Sequence, residues 1–232
     1  MIQFKSLSKS FGKLEVLKSL DATIHDEKVT AIVGHNASGK TTLIKCLLGL
    51  DRFDAGEIIV DDYVLDGRWQ YRDQIGYVPQ IARFPENLSS QELLDMIIDV
   101  RGNPSNNRDE LIDYFKVNQE IDKALKTLSG GTRQKINVIL ALMFNPQLLI
   151  LDEPTSGLDP VSSSRLKDRI LMEKEKGKSV IITSHIMSEI QELADTVLYL
   201  LDGQIIFDGP VDELISRSGE MNLERAIAKM MD

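Results

Sequence analysis

The chain has 232 residues, of which 42% are hydrophobic, 6% aromatic and 27% charged. At about 100 to 200 residues per domain, that is one large domain or two small ones, and a composition able to bury this much apolar surface excludes a disordered chain. Lys and Arg total 27 against 36 Asp and Glu, a net charge of −9; so acidic a surface repels nucleic acid and anionic lipid, while a local basic pocket for one phosphate ligand stays open. No nucleic-acid partner is expected. The longest apolar stretch, Ile136 to Phe144, is interrupted by Asn137 and ended by Asn145-Pro146-Gln147, well short of the roughly 18 residues that would span a bilayer. Met1-Ile2-Gln3-Phe4-Lys5 opens no apolar run of signal-peptide length, and the lone Cys46 has no internal disulfide partner, so a cytoplasmic location is expected.

In chain order, short strands are predicted near Ile2 to Phe4 and over Leu14 to Ile24, then Val29 to Val33 running into a glycine-rich turn. A helix follows, with Leu43, Leu47 and Leu50 on one stripe and Cys46 inside it as core. Extended runs recur at Glu57 to Val60 and Gln74 to Val78. From Glu92 to Phe115 the pattern is helical, broken by the turn residues from Gly102 to Asn107, which predicts a separate helical lobe. Another helix begins after Ser129-Gly130-Gly131, with Ile136, Ile139, Leu140 and Met143 on one face. Beyond it the apolar runs Leu148 to Leu151, Ser179 to Thr183 and Val197 to Leu201 alternate with helices from Val161 and Ile186, the pattern of buried parallel strands with crossovers. Asp202-Gly203 reads as a two-residue hairpin turn into Gln204 to Asp208.

Two constellations carry chemistry. Gly34-His35-Asn36-Ala37-Ser38-Gly39-Lys40-Thr41 fits G-x-x-x-x-G-K-[ST] between a predicted strand and a predicted helix. Its glycines let backbone N–H groups curl round phosphate oxygens, Lys40 reaches the β and γ phosphates, and the Thr41 hydroxyl ligates magnesium. Leu148-Leu149-Ile150-Leu151-Asp152-Glu153 is an apolar strand ending in two carboxylates, placed where ligands bind at the carboxyl ends of an α/β sheet. Asp152 suits the magnesium that bridges the phosphates; Glu153 suits a general base that polarises a water for in-line attack.

With Leu128-Ser129-Gly130-Gly131-Thr132-Arg133-Gln134 ahead of that strand, the chain resembles the ATP-binding cassette (ABC) ATPases, whose signature motif this segment matches in sequence and order. Further pieces fall in family order: Phe11, Gln80 of Tyr77-Val78-Pro79-Gln80, Ser156-Gly157-Leu158-Asp159, and His185 after a strand. The resemblance covers essentially the whole chain. It implies a single α/β domain over 1–232: a P-loop NTPase core with a parallel sheet and an N-terminal antiparallel β subdomain (together about 1–83 and 146–232), and a helical, signature-bearing subdomain (about 84–145). ATP and Mg2+ are the implied cofactors. The nucleotide would be held by Phe11 stacking on adenine, by residues 34–42 (Gly34, His35, Asn36, Ala37, Ser38, Gly39, Lys40, Thr41 and Thr42), and by Ser129, Gly130, Gly131 and Asp159 across a seam. Thr41, Gln80 and Asp152 would hold the metal. Glu153, Gln80 and His185 would be catalytic.

In this family the signature faces the nucleotide of a second subunit, so one cassette per chain implies a head-to-tail dimer, homodimeric or with a close relative. Membrane permease subunits would be encoded elsewhere, which sets the chain peripherally on the inner face of the cell membrane. Two departures stand out: Ala37 replaces the usual second glycine of the phosphate loop, and Thr132 replaces the common glutamine of the signature. Ala is strained at positive φ, so a right-handed backbone is expected at Ala37. The apolar residues Ile81, Phe84, Pro85 and Leu88 after Gln80 suit either a docking surface for a membrane partner or interior packing. An ATPase of an assembly pathway, such as iron–sulfur cluster biogenesis, is the alternative reading. The chain ends soon after a predicted Leu223 to Met231 helix without an appended regulatory domain, which favours the exporter type, including the copper-related subunits of nitrous oxide reductase maturation that Gly34-His35-Asn36 resembles.

Overall fold

The computed structural model describes residues 1–61, 63–102, 104–105 and 107–231. Two sheets share the work. Strands β1 (Ile2–Phe11), β2 (Leu14–Ile24), β4 (Ala55–Val60) and β5 (Tyr63–Val64) form an antiparallel sheet in the order β2-β1-β4-β5. Strands β3 (Val29–Val33), β6 (Ile75–Val78), β7 (Leu148–Asp152), β8 (Ser179–Thr183), β9 (Thr196–Leu201) and β10 (Gln204–Pro210) form the second, in the order β10-β9-β3-β8-β7-β6. It is parallel except for β10 against β9.

The strand β1 runs well beyond Phe4 because irregular pairing with β2, including left-handed backbone at Ser6 (φ 47°), carries it through a polar stretch that lacks a clean alternation. At the other end, Asp202 (φ 47°) and Gly203 (φ 82°) both take positive φ, the two-residue hairpin turn expected between β9 and β10.

Both faces of the parallel sheet are covered, which is why its strands read as continuous apolar runs. On β7, Leu149 and Leu151 enter one core cluster, while Leu148 and Ile150 enter the other, as the two-residue period requires. The second cluster joins helix α1 (Lys40–Leu47) and the antiparallel sheet, and Cys46 lies buried in it. The first gathers α2 (Ser90–Arg101), α3 (Arg108–Tyr114), α4 (Gly130–Leu142), α5 (Pro160–Glu175), α6 (Met187–Leu193), α7 (Val211–Ser218) and α8 (Leu223–Met231). Helices α2, α3 and α4 all fall between β6 and β7 in sequence. Their starts are locally determined: Ser89 and Glu92 form a capping box at α2, Ser129 caps α4 through the Thr132 N–H, and Asp159 caps α5 just before Pro160. Among the described residues no helix is long and apolar enough to cross a membrane.

Candidate nucleotide site

Strand order assembles the site. Neighbouring strands β3, β8, β7 and β6 deliver, at their carboxyl ends, the loop 34–39, His185, Asp152 with Glu153, and Gln80. Residues that lie far apart in sequence therefore meet along one sheet edge, as crossover topology dictates. Residues 36–42, Gln80, Asp152, Glu153 and His185 line a cavity of about 530 Å³ together with Phe11, Leu14 and Val16.

The phosphate loop needs glycine at two positions for space. A Cβ at Gly34 would stand 2.2 Å from the Leu200 carbonyl oxygen, and one at Gly39, whose φ is 111°, would meet Leu17 at 2.9 Å. Ala37 departs from expectation. Its φ is 65°, left-handed rather than right-handed, so the loop geometry overrides the alanine preference and holds the residue in a strained conformation. The loop is braced by the β9–β10 turn: Gly203 N–H donates to the Ser38 carbonyl (3.2 Å), and His35 Nε2 lies 3.2 Å from Asp202 Oδ1. Lys40 is 9% exposed, and its ammonium donates to the carbonyls of Gly34 (2.7 Å) and His35 (3.0 Å). Burial lowers its pKa, opposed by the Glu153 and Asp152 charges.

Across the cavity, Thr183 fixes both carboxylates. Its hydroxyl donates to Asp152 Oδ1 (2.6 Å) and accepts the Glu153 N–H (3.0 Å). Glu153 has φ 52°, a left-handed backbone uncommon for a non-glycine residue and typical of strained functional positions. One carboxylate oxygen of Glu153 lies 3.0 Å from His185 Nε2, and the other accepts the His185 backbone N–H at 3.3 Å. Burial raises the Glu153 pKa above its ordinary value of 4.5, with His185 and Lys40 opposing. Gln80 and Thr41 are exposed at the cavity. Phe11 is 50% exposed at the end of β1, with Lys9 Nζ 4.9 Å from its ring centre.

Six of the residues tied to the nucleotide by resemblance do not line this cavity. Gly34 and His35 lie just before its lining residues in the loop, while Ser129, Gly130, Gly131 and Asp159 stand on other segments. Ser129 Oγ accepts the Thr132 N–H at 3.1 Å, and its hydroxyl meets that of Thr132 at 2.9 Å. The Asp159 carboxylate accepts the N–H groups of Val161 and Ser162 and the Ser162 hydroxyl, which hold its pKa below the usual carboxylate value. Helix α4 nevertheless touches the site from behind: the buried Gln134 amide donates to the Pro154 carbonyl (2.9 Å), and Asn137 donates to the Pro79 carbonyl (3.2 Å). Those carbonyls directly follow Glu153 and precede Gln80. Sequence reasoning missed Gln134, Asn137, Thr183, Leu14 and Val16; the available signals were two amides on the inward face of an otherwise apolar helix and a hydroxyl closing the β8 run.

After Gln80, Phe84 and Leu88 pack against the core cluster, whereas Ile81 is 72% exposed. A separate groove of about 270 Å³ opens between β6, α2 and α4, lined by Leu48, Tyr77, Ile97, Leu140, Phe144 and Arg101 among others. It adjoins a second hollow where Trp69 and Val100 are exposed.

A family model described as "ABC transporter" matches residues 17–156. The lantibiotic transport ATP-binding protein SrtF of Streptococcus pyogenes is 33% identical over 227 residues, covering 97% of this chain and 94% of its own. The L-cystine import ATP-binding protein TcyC of Bacillus subtilis is 31% identical, covering 100% and 99%. A solved ATP-binding subunit of an ABC transporter superposes with a TM-score of 0.92 at 26% identity over the full length of both chains. The fold and site define a P-loop ATPase of the ATP-binding cassette class. The chain belongs to the ABC transporter family, as an ATP-binding and ATP-hydrolysing subunit. Transport, not iron–sulfur assembly, is what these relatives carry, and they lend no support to the copper-related likeness.

Proposed function

We infer that this chain works as half of a head-to-tail ATPase dimer that drives separately encoded membrane permease subunits from the inner face of the cell membrane. The observation that carries this reading is the division of the site. Lys40, Gln80, Asp152, Glu153 and His185 converge on one cavity, while Ser129, Gly130, Gly131 and Asp159 lie outside it, free to complete the cavity of a second copy. On this reading residues 84–145 act as the helical subdomain that presents the signature, and residues 1–83 and 146–232 act as the core.

Within each cavity, Phe11, with Leu14 and Val16 beside it, gives adenine a flat apolar platform of weak base selectivity. The loop from Gly34 to Gly39 turns its N–H groups to the phosphates, at the N-terminus of α1 with Thr41 and Thr42. Lys40 neutralises the β and γ phosphates. The oxygen donors of Thr41, Gln80 and Asp152 match the hard-oxygen preference of magnesium; they would hold the ion, which would neutralise phosphate charge when bound. Glu153, with its raised pKa, accepts the proton of the attacking water, and His185 orients that carboxylate while contacting the γ phosphate. The apolar groove beside β6 and α2 is the proposed seat of the membrane partner, with Trp69 and Val100 as exposed apolar contacts at its edge.

Mixing two inactive variants tests the shared site. Lys40→Ala removes the phosphate-binding cation and Ser129→Arg blocks the signature; in a head-to-tail dimer the mixture restores one intact composite cavity. Recovered ATP hydrolysis above either variant alone is expected. Crosslinked mixed dimers with no recovery would contradict action across the seam.

A further inference from the structure

One buried carboxylate outside the cavity ties together the chain segments on either side of the Glu153–His185 pair. Glu189, in the first turn of α6, is 8% exposed. Its Oε2 accepts the Thr155 hydroxyl at 2.8 Å and the Ser184 hydroxyl at 3.2 Å, and its Oε1 accepts the Ser163 hydroxyl at 3.4 Å. Burying a carboxylate is costly unless donors surround it, and here they come from three separate segments. Thr155 lies two residues past Glu153. Ser184 immediately precedes His185, and its Oγ also accepts the Ile186 N–H at 3.0 Å, pinning the turn that carries the imidazole. Ser163 belongs to α5. The left-handed backbone of Glu153 is a conformation that persists only where its surroundings over-determine it. Thr183 holds it directly, and Glu189 holds the segment just beyond.

We propose that Glu189 is a positioning residue for hydrolysis, which through Thr155 and Ser184 fixes the relative placement of Glu153 and His185. The proposal rests on the reading of Glu153 as the general base. Glu189 does not line the cavity, so its loss falls on turnover and not on nucleotide binding. Displacing a reacting group by 1 Å can cost about 100-fold in rate, so the expected loss in kcat is about tenfold or more.

The test uses the full chain and two opposed substitutions at Thr155. Thr155→Val keeps the shape and removes the hydroxyl; Thr155→Ser keeps the hydroxyl and removes the methyl. Positioning predicts that Thr155→Val lowers kcat by about tenfold or more with the ATP Kd within about twofold of wild type, and that Thr155→Ser recovers turnover relative to Thr155→Val. A packing role predicts the reverse order, and that order would overturn the proposal. Glu189→Gln should lower kcat as well, and its combination with Thr155→Val should lose less than the product of the single effects, because both break one contact; fully multiplicative losses would count against the coupling. If Glu189→Gln fails to fold, the Thr155 pair decides alone. Glu153→Gln measured in parallel separates the two failures. Wild-type hydrolysis by Glu153→Gln sinks the general-base reading, whereas an inactive Glu153→Gln beside fully active Thr155→Val sinks only the role of Glu189.

Discussion

His185 grips Glu153 at both ends of the carboxylate: its ring Nε2 is 3.0 Å from one oxygen, and its backbone N–H donates to the other at 3.3 Å. Burial in the cavity wall raises the Glu153 pKa above 4.5 despite that contact and the nearby Lys40 charge. As the proposed general base Glu153 must be ionised, so the sign is set: turnover is lost as pH falls through the raised folded value, and the acid limb of the kcat/KM profile, which reports the free chain, should lie above pH 4.5. For stability the sign is opposite. A raised folded pKa means that folding favours the protonated form, a contribution present at low pH and lost as pH rises through the folded value. Glu153→Gln should therefore unfold at the same or a higher temperature than wild type near neutral pH, with the gap closing on acidification. A lower midpoint at neutral pH would show that the ionised pair stabilises the fold.

Lys40 separates binding from folding in the same way. Its pKa is lowered by burial, so the folded chain bears a cost for keeping it charged. Lys40→Met should lose ATP affinity by roughly 100-fold, since hydrogen bonds to charged groups contribute about 1.5 to 3 kcal/mol each, while the nucleotide-free chain should unfold no earlier than wild type. Calorimetry and a thermal melt check the two halves.

Ala37 is held at φ 65°. A non-glycine residue there costs about 1 to 2 kcal/mol, and glycine gives back roughly 0.5 to 1 through its greater freedom in the unfolded chain. Ala37→Gly should stabilise the fold by up to about 1 kcal/mol, and Ala37→Val should destabilise it. Denaturant melts of the three proteins would show the order Gly, Ala, Val; any other order would mean that the loop relaxes to a right-handed backbone.

Two apolar residues separate packing from the proposed docking. Phe84 packs against the core cluster, so Phe84→Ser should cost folded protein. Val100 is 77% exposed beside the groove, so Val100→Glu should leave thermal stability and basal ATPase unchanged while weakening co-purification with membrane subunits by about 2 kcal/mol, the scale of an interface anchor. An unchanged complex would move the partner off this groove.

Much of this was legible in the chain because local chemistry and fold agree. The strand Leu14–Ile24, the helix Leu223–Met231 and the phosphate loop between β3 and α1 follow from periodicity, caps and glycines. What escaped is set by tertiary context. The positive φ of Ala37 runs against the residue's own preference, and no local pattern announces that Thr183 would bridge Asp152 and Glu153, since that depends on β8 lying between β3 and β7. The same holds for Phe84, whose apolar character fits a surface or a core equally until packing decides.

The proposed cycle depends above all on ATP hydrolysis with Glu153 as the base. ATP binding and release of inorganic phosphate, measured side by side on wild type and Glu153→Gln with magnesium present, test it most directly. Glu153→Gln should bind ATP as tightly as wild type and accumulate as an ATP-bound dimer, with turnover lower by at least about 100-fold. Phosphate release by Glu153→Gln at the wild-type rate would contradict it.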